Sequence, residues 1–96
     1  MPHYDIAHIR KQGQDIIIVP MVRSFASLTR SQQVEQAALL QQYAASAGLA
    51  GTVVPVWDAG CGRMGFLSPQ PWHPFFRSIN LRYVAMNINR RLTCGS

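Results

Sequence analysis

Hydrophobic and polar residues alternate loosely from residue 4 to residue 10, and an unbroken apolar run follows at residues 16–19. Alternation at a period of two is typical of a strand with one buried face, whereas a continuous β-branched run is typical of a central strand. Gly13, in the polar gap between them, supplies the positive φ that a tight turn needs. The pattern predicts a β-hairpin whose second strand is covered on both faces, or on one face with an oligomer contact on the other.

A helix is predicted after this hairpin. Thr29 and Gln32 have the spacing of a capping box, in which each side chain accepts a hydrogen bond from the other residue's backbone N–H. Gly48 stands where a residue in the left-handed conformation commonly ends a helix. The apolar residues between these signals share one broad helical face, which we expect to be buried: Val34, Ala37, Ala38, Leu40, Ala44, Ala45 and Ala47.

The second half of the chain indicates two more strands and a second helix. Residues 52–57 predict a third strand, which Pro55 assigns to a sheet edge or a bulge because proline has no N–H to donate. Residues 58–62 predict a flexible loop, residues 63–67 a fourth strand, and the proline-rich residues 68–74 an irregular segment. Asn80 then caps a last helix with apolar residues spaced by three and four: Leu81, Val84, Ala85, Ile88 and Leu92.

These elements predict an α+β protein with the order ββαββα. The simplest packing is a four-stranded, mainly antiparallel sheet with both helices on one face. The other face would then require cover, and a second copy of the chain is the simplest cover. Residues 1–94 form one predicted domain, and Gly95-Ser96 resembles a cloning remnant.

Composition adds to the case for self-association. Only 14% of the 96 residues are charged and 48% are hydrophobic, so few charges keep neighbouring surfaces apart. Cys61 and Cys94 make neither a disulfide framework nor a zinc motif, and His3, His8 and His73 lack metal-ligand spacing. The first residues do not form a signal peptide, and no apolar run reaches the length of a membrane span. We expect a cytoplasmic homo-oligomer, with a dimer as the first choice. We expect no cofactor, no metal and no membrane contact.

All of the net charge of +5 comes from the last third of the chain. The acids and bases up to Asp58 cancel, and after that residue there are arginines but no acid. Guanidinium groups suit phosphate and carboxylate recognition, so an anionic partner or a nucleic acid is an alternative prediction. The candidate contacts are Arg77, Arg82, Arg90 and Arg91. The other interpretation of Arg90 and Arg91 is that they end a helix, where cations offset its dipole.

A small-molecule site or an enzyme is the third prediction. Backbone N–H groups of a glycine-containing loop can hold an anion, and a thiol can act as a nucleophile beside a cation or histidine. Each candidate also has a purely structural interpretation, as a small hairpin loop or as aromatic cover for the core. No catalytic residue is assigned, and the candidate ligand-binding residues are Asp58, Cys61, Arg63, Trp72 and His73.

Three segments, Val-Val-Pro-Val-Trp-Asp at 53–58, Gly-Arg-Met-Gly-Phe at 62–66 and Pro-Trp-His-Pro-Phe-Phe at 71–76, carry a resemblance. Together they resemble short uncharacterised bacterial proteins carried on mobile elements, including integron gene cassettes. The resemblance implies a bacterial cytoplasmic protein, often a compact α+β oligomer, and it transfers no catalytic residue. The first prediction is therefore a homo-oligomeric binding module that is not an enzyme.

Overall fold

Five strands and three α-helices occupy the residues that the computed structural model describes, which are 3–11, 13–60 and 63–93. In chain order they are β1 (His3–Lys11), β2 (Gln14–Pro20), α1 (Arg30–Ser46), β3 (Thr52–Gly60), β4 (Arg63–Phe66), α2 (His73–Ser78), α3 (Leu81–Met86) and β5 (Arg90–Thr93). Two 3-10 helices, Arg23–Ser27 and Gln70–Trp72, precede α1 and α2. The α+β class is confirmed, but the order ββαββα is corrected to ββαββααβ.

The strands form one mixed sheet in the order β4-β3-β2-β1-β5. The predicted β1–β2 hairpin is confirmed, with Ala7 opposite Ile18 and Gly13 at a φ of 75°; Gln12 of its turn lies outside the described residues. The four-stranded, mainly antiparallel sheet is corrected in two respects. The sheet has a fifth strand, and β2 and β3 are parallel. They are parallel because α1, which connects them, carries the chain back to the end of the sheet at which β2 begins.

Helices cover both faces of the sheet, so the prediction that both helices lie on one face is wrong. The core between the sheet and α1 contains Ile6, Ile17, Val19, Val53 and Leu92 of the strands and Leu40 and Ala44 of the helix. The core between the opposite face and α2 and α3 contains Ala7, Ile16, Ile18, Val54 and Val56 of the strands and Phe76 and Val84 of the helices. The expectation that residues 16–19 are covered on both faces is confirmed, because all four are fully buried.

Because helices cover both faces of the described sheet, no whole face is left for a second copy of the chain to cover. Where the α2–α3 face reaches the edge strand β5, the sheet carries the exposed pair Asp5 and Arg91 instead of apolar side chains. These charged side chains are hydrated at the uncovered corner of the sheet, so they need no second subunit to cover them. Among the described residues, no helix is long and apolar enough to cross a membrane.

The ends of α1 follow the predicted signals, but its buried face does not. Thr29 and Gln32 form the capping box, and Gly48, at a φ of 77°, follows the last helical turn. The predicted apolar face is wrong in large part, because Val34 is 50% exposed and Ala38 and Ala45 are exposed as well. The side that faces the sheet instead combines apolar and amide side chains: Gln33, Ala37, Leu40, Gln41 and Ala44.

Two glutamines face inward because each one satisfies a backbone group. The Gln33 amide donates to the Phe25 carbonyl at 3.0 Å. The Gln41 amide donates to the Gly51 carbonyl at 2.9 Å and accepts from the Val53 N–H at 2.8 Å. A buried polar group without a hydrogen-bond partner destabilises a protein. The hydrogen bonds that these backbone groups gain therefore outweigh the cost of burying two amide side chains.

The predicted last helix ends early. Asn80 caps α3 as expected, with its side chain accepting from the Tyr83 N–H at 2.9 Å, but the helix stops at Met86. Asn89 bonds both backbone groups of His8, and the following residues pair with β1 as the strand β5. Leu92 is thereby buried in the α1 face of the core. Arg90 and Arg91 therefore lie on an edge strand and do not end a helix.

Pro55 lies inside the sheet, not at its edge or at a bulge. It is fully buried in β3, between β2 and β4, and the bulge falls at Asp58–Gly60. The Pro55 carbonyl accepts from the Leu67 N–H at 3.1 Å, just after β4 ends at Phe66. The N–H and the C=O of one strand residue point toward the same neighbouring strand. The N–H that Pro55 lacks would therefore point toward β4, at a position where that strand has already ended.

Candidate anion-binding groove

An arginine-lined groove lies between the β3–β4 hairpin and the α2–α3 segment. Two adjoining cavities, of about 430 and 500 Å³, share Arg63, Met64 and Asn80 as lining residues. We call their combined surface the arginine groove, after its charged residues: Arg23, Asp58, Arg63, Arg77 and Arg82. Four arginines against one aspartate make this surface strongly cationic.

Each charged residue reaches the groove from a different element. Arg63 begins β4, Arg77 is in the last turn of α2, Arg82 is in the first turn of α3, and Arg23 starts a 3-10 helix after β2. The hydrogen bond from the Met21 N–H to the Val56 carbonyl, 2.7 Å long, holds that last segment beside the end of β3. The cations are therefore placed by the sheet and its cover, not by one flexible segment.

Asp58 is the one acid of the groove, and its carboxylate has defined partners. One oxygen accepts from the Gly60 N–H at 2.8 Å across the β3 bulge. The other oxygen lies 3.9 Å from a guanidinium nitrogen of Arg23, and both side chains are well exposed. An exposed pair at that separation contributes at most about 1 kcal/mol, so it leaves Arg23 available to another anion.

The remaining arginines of the groove carry uncompensated charge. Within the described parts of the chain, Arg63, Arg77 and Arg82 form no ion pair, and all three are exposed. Their positive charges therefore meet water and not a carboxylate. Such groups are available for bidentate hydrogen bonds to phosphate or carboxylate oxygens.

The five residues predicted to bind a small molecule do not share one cavity. Asp58 and Arg63 line the arginine groove, whereas Trp72 lines a separate cavity. The His73 ring lies 3.2 Å from the Ser68 carbonyl through Nε2 and packs edge-on against Phe66. Cys61 lies outside the described residues, as does Cys94. Asp58 is in β3 rather than in the predicted loop.

The cavity that contains Trp72 is an aromatic cleft with a cation at its rim. Its volume is about 420 Å³, and its lining residues are Lys11, Pro71, Trp72, Pro74 and Phe75. The Trp72 and Phe75 rings are 5.8 Å apart and nearly perpendicular, at 75°. Lys11 holds its ammonium 6.0 Å from the centre of the Phe75 ring.

The four arginines predicted to contact nucleic acid fall into two separate pairs. Arg77 and Arg82 line the groove, whereas Arg90 and Arg91 lie on β5 at the opposite edge of the sheet from β4. Four strand spacings, about 19 Å, separate these edges. Arg91 is also paired with Asp5, at 3.5 Å.

Three residues of these surfaces were not predicted from the sequence: Arg23, Asn80 as a groove residue, and Lys11. Arg23 follows the end of β2, and parallel neighbouring strands end at the same edge of a sheet. The helix between β2 and β3 was predicted, but the parallel pairing of these strands, which places Arg23 beside Asp58, was not. Asn80 was identified only as a helix cap, and Lys11 only as a turn residue.

Among the described residues, no three His, Cys, Asp or Glu side chains come close enough together to hold a metal ion. No protein-family model, curated protein or solved structure matches the chain. The resemblance of its second half to bacterial mobile-element proteins therefore stays a prediction. The function has to be argued from the groove and the cleft themselves.

Proposed function

We propose that this chain is a nucleic-acid-binding module, without catalytic activity, that takes a phosphate backbone into the arginine groove. The observation that carries the proposal is the set of Arg63, Arg77 and Arg82, three exposed cations that form no ion pair with any described residue and that line one concave surface. An intracellular setting, where nucleic acids are found, is part of the proposal.

The chemistry of the groove favours phosphodiesters over isolated small anions. Guanidinium groups bind phosphate oxygens in a planar, bidentate manner, and several of them along a groove match a repeating line of negative charge. Asp58 limits the number of phosphates that the groove can accept at its Arg23 end. The groove extends over two adjoining cavities, from Arg23 and Arg82 to Arg77, which suits a chain-like ligand that extends beyond either cavity.

The enzyme hypothesis finds less support in this geometry. It requires Asp58, Cys61, Arg63, Trp72 and His73 to act on one substrate. Asp58 and Trp72 line different cavities, and the His73 ring is engaged with Ser68 and Phe66. A binding role needs only the arginines, which the fold brings together.

A salt-dependent binding experiment tests the proposal. Fluorescently labelled DNA and RNA oligonucleotides are titrated at several salt concentrations with the wild type, with the double variant Arg63→Ala/Arg82→Ala and with Arg90→Ala. Log affinity falls as log salt rises, and we expect this dependence to be less steep for the double variant. The magnitude of the slope should decrease by about one for each arginine removed. Arg90→Ala, at the far sheet edge, is the matched control and should leave the slope close to that of the wild type.

Two outcomes would contradict the proposal. One is the absence of binding at low salt, where phosphate contacts are strongest. The other is an equal loss per arginine removed for the double variant and for Arg90→Ala, which would indicate attraction to net charge and no defined groove.

Self-association is a second candidate function, favoured by the outer side of α1. Val34 is 50% exposed and Leu39 is 43% exposed, on two different flanks of the helix, and the helix has only Arg30 and Glu35 as charged residues. Sedimentation velocity over a range of concentrations tests it, with Val34→Glu expected to favour the monomer. A wild type that stays monomeric throughout removes this candidate.

A further inference from the structure

The aromatic cleft and the arginine groove lie on either side of α2. Pro74 and Phe75 of this helix line the cleft, while Phe76 and Arg77 line the groove. The Phe75 and Phe76 rings are in contact, with centroids 5.2 Å apart. One ligand that occupied both surfaces would therefore cross only the width of this short helix.

The geometry of the cleft suits a flat ring. Trp72 and Phe75 are only partly buried, so each retains ring surface toward solvent. Because the two rings are nearly perpendicular, a planar group stacked on Trp72 would lie nearly perpendicular to Phe75, as in an edge-to-face contact. Both stacked and edge-to-face contacts are favourable for aromatic groups.

The rim of the cleft adds a charge of the appropriate sign. Lys11 ends β1, is exposed, and holds its ammonium near the Phe75 ring. An ammonium there can contact a phosphate while a neighbouring aromatic ring accepts a base. Cation, flat apolar surface and arginine groove thus follow one another along the α2 side of the molecule.

The two tryptophans show that Trp72 is not simply core material. Trp57 is 9% exposed and packs at a tilt against Phe25, with ring centroids 4.9 Å apart. It lies so close over Gly65 that a Cβ there would clash with its indole. Trp72 also packs against the core, but it lines a cleft that is open to solvent. The fold therefore buries one indole and presents the other.

From these observations we infer that the ligand is a single-stranded nucleic acid, with one unpaired base stacked on Trp72 in the aromatic cleft and adjoining phosphates in the arginine groove. The inference rests on the proposed function and narrows it. Bases of a duplex are stacked on one another and cannot enter the cleft without being unpaired, which is unfavourable. Single strands offer free bases, and stacking on an aromatic side chain tolerates any base.

Tryptophan fluorescence distinguishes the base from the phosphates. Three probes are titrated into the protein: a single-stranded oligonucleotide, its duplex, and inorganic polyphosphate, which has no bases. Trp57→Phe leaves Trp72 as the reporter, and Trp72→Phe leaves Trp57. We expect the single strand to quench Trp72 strongly and Trp57 hardly at all, and polyphosphate to bind without quenching either tryptophan.

If Trp57→Phe does not fold, the difference in quenching between the wild type and Trp72→Phe reports on Trp72 instead. Affinity measurements complete the test. Trp72→Ala should weaken single-strand binding by about tenfold and leave polyphosphate binding unchanged. Trp72→Phe, which keeps an aromatic face, should lose much less affinity.

The outcomes separate the inference from the proposed function. If the single strand binds without quenching Trp72, or the duplex binds equally well, the base-stacking inference is wrong and phosphate binding stands. If none of the three probes binds at low salt, the proposed function itself is wrong. Strong quenching by the single strand alone supports both.

Discussion

The two faces of the sheet are covered in different ways. The α1 face is covered by one regular helix of 17 residues, with a complete capping box at its start and inward amides that satisfy backbone groups. The α2–α3 face is covered by two helices of six residues each and a chain of contacting rings. On the α1 face, the inward polar groups are hydrogen-bonded within the protein. On the α2–α3 face, aromatic rings and guanidinium groups are partly exposed to solvent.

This difference indicates where a ligand can bind. On the α2–α3 face, large side chains carried by two short helices leave clefts between them, and the cations at the edges of these clefts are exposed. We therefore expect substitutions on the α1 side to leave nucleic-acid binding unchanged, and substitutions on the α2–α3 side to separate stability from binding. Three pairs of neighbouring residues test this expectation.

The largest effect is expected at Phe76. Its ring is 1% exposed in the core between α2 and the sheet, so Phe76→Ala should lower the free energy of unfolding by about 3–5 kcal/mol. Phe75→Ala, one residue earlier, removes a partly exposed ring and should lower it by about 1–2 kcal/mol. Chemical denaturation measures both. Equal losses would show that Phe75 is as much a core residue as Phe76.

A comparable contrast is expected on α1, between Leu40 and Leu39. Leu40 is 3% exposed and Leu39 is 43% exposed. Leu40→Ala should reduce stability by about 2–5 kcal/mol, and Leu39→Ala by no more than about 0.5 kcal/mol. Thermal and chemical unfolding give the values, and Leu39→Ala should bind oligonucleotides as the wild type does. A large loss for Leu39→Ala would mean that its side of α1 is covered in solution.

The smallest of the three effects is expected at Gln41. Gln41→Ala removes the partners of the Gly51 carbonyl and the Val53 N–H at the start of β3, which should lower stability by about 1–3 kcal/mol. Gln42→Ala, at the next and exposed position, should change it by no more than about 0.5 kcal/mol. Hydrogen exchange of the Val53 amide provides an independent reading. Protection that is unchanged in Gln41→Ala would contradict the assigned role.

The candidate site was predictable only in part, because its residues are brought together by several elements. Asp58 and Arg63 are close in sequence and line the same groove. Trp72 belongs to a different cavity, and Arg90 belongs to the opposite sheet edge. A count of arginines along the chain could not separate these groups, since each position depends on strand order.

Local signals along the chain were sufficient for the elements that are stabilised within a few residues. Thr29 and Gln32 bond each other across one helical turn, Gly13 permits its own turn, and four consecutive β-branched residues specify a buried strand wherever it lies. The physical reason is that these preferences depend on backbone conformation and side-chain shape close by.

Tertiary contacts decided the rest. Residues 87–93 satisfy a helical apolar spacing, yet Asn89 bonds the backbone of His8, 81 residues away, and the chain continues as β5. In the same way, Gln41 faces inward because β3 begins beside it, and Pro55 lies inside the sheet because β4 ends there. Hydrogen-bond partners so distant in sequence leave no local pattern, and only the folded arrangement determines which backbone groups need them.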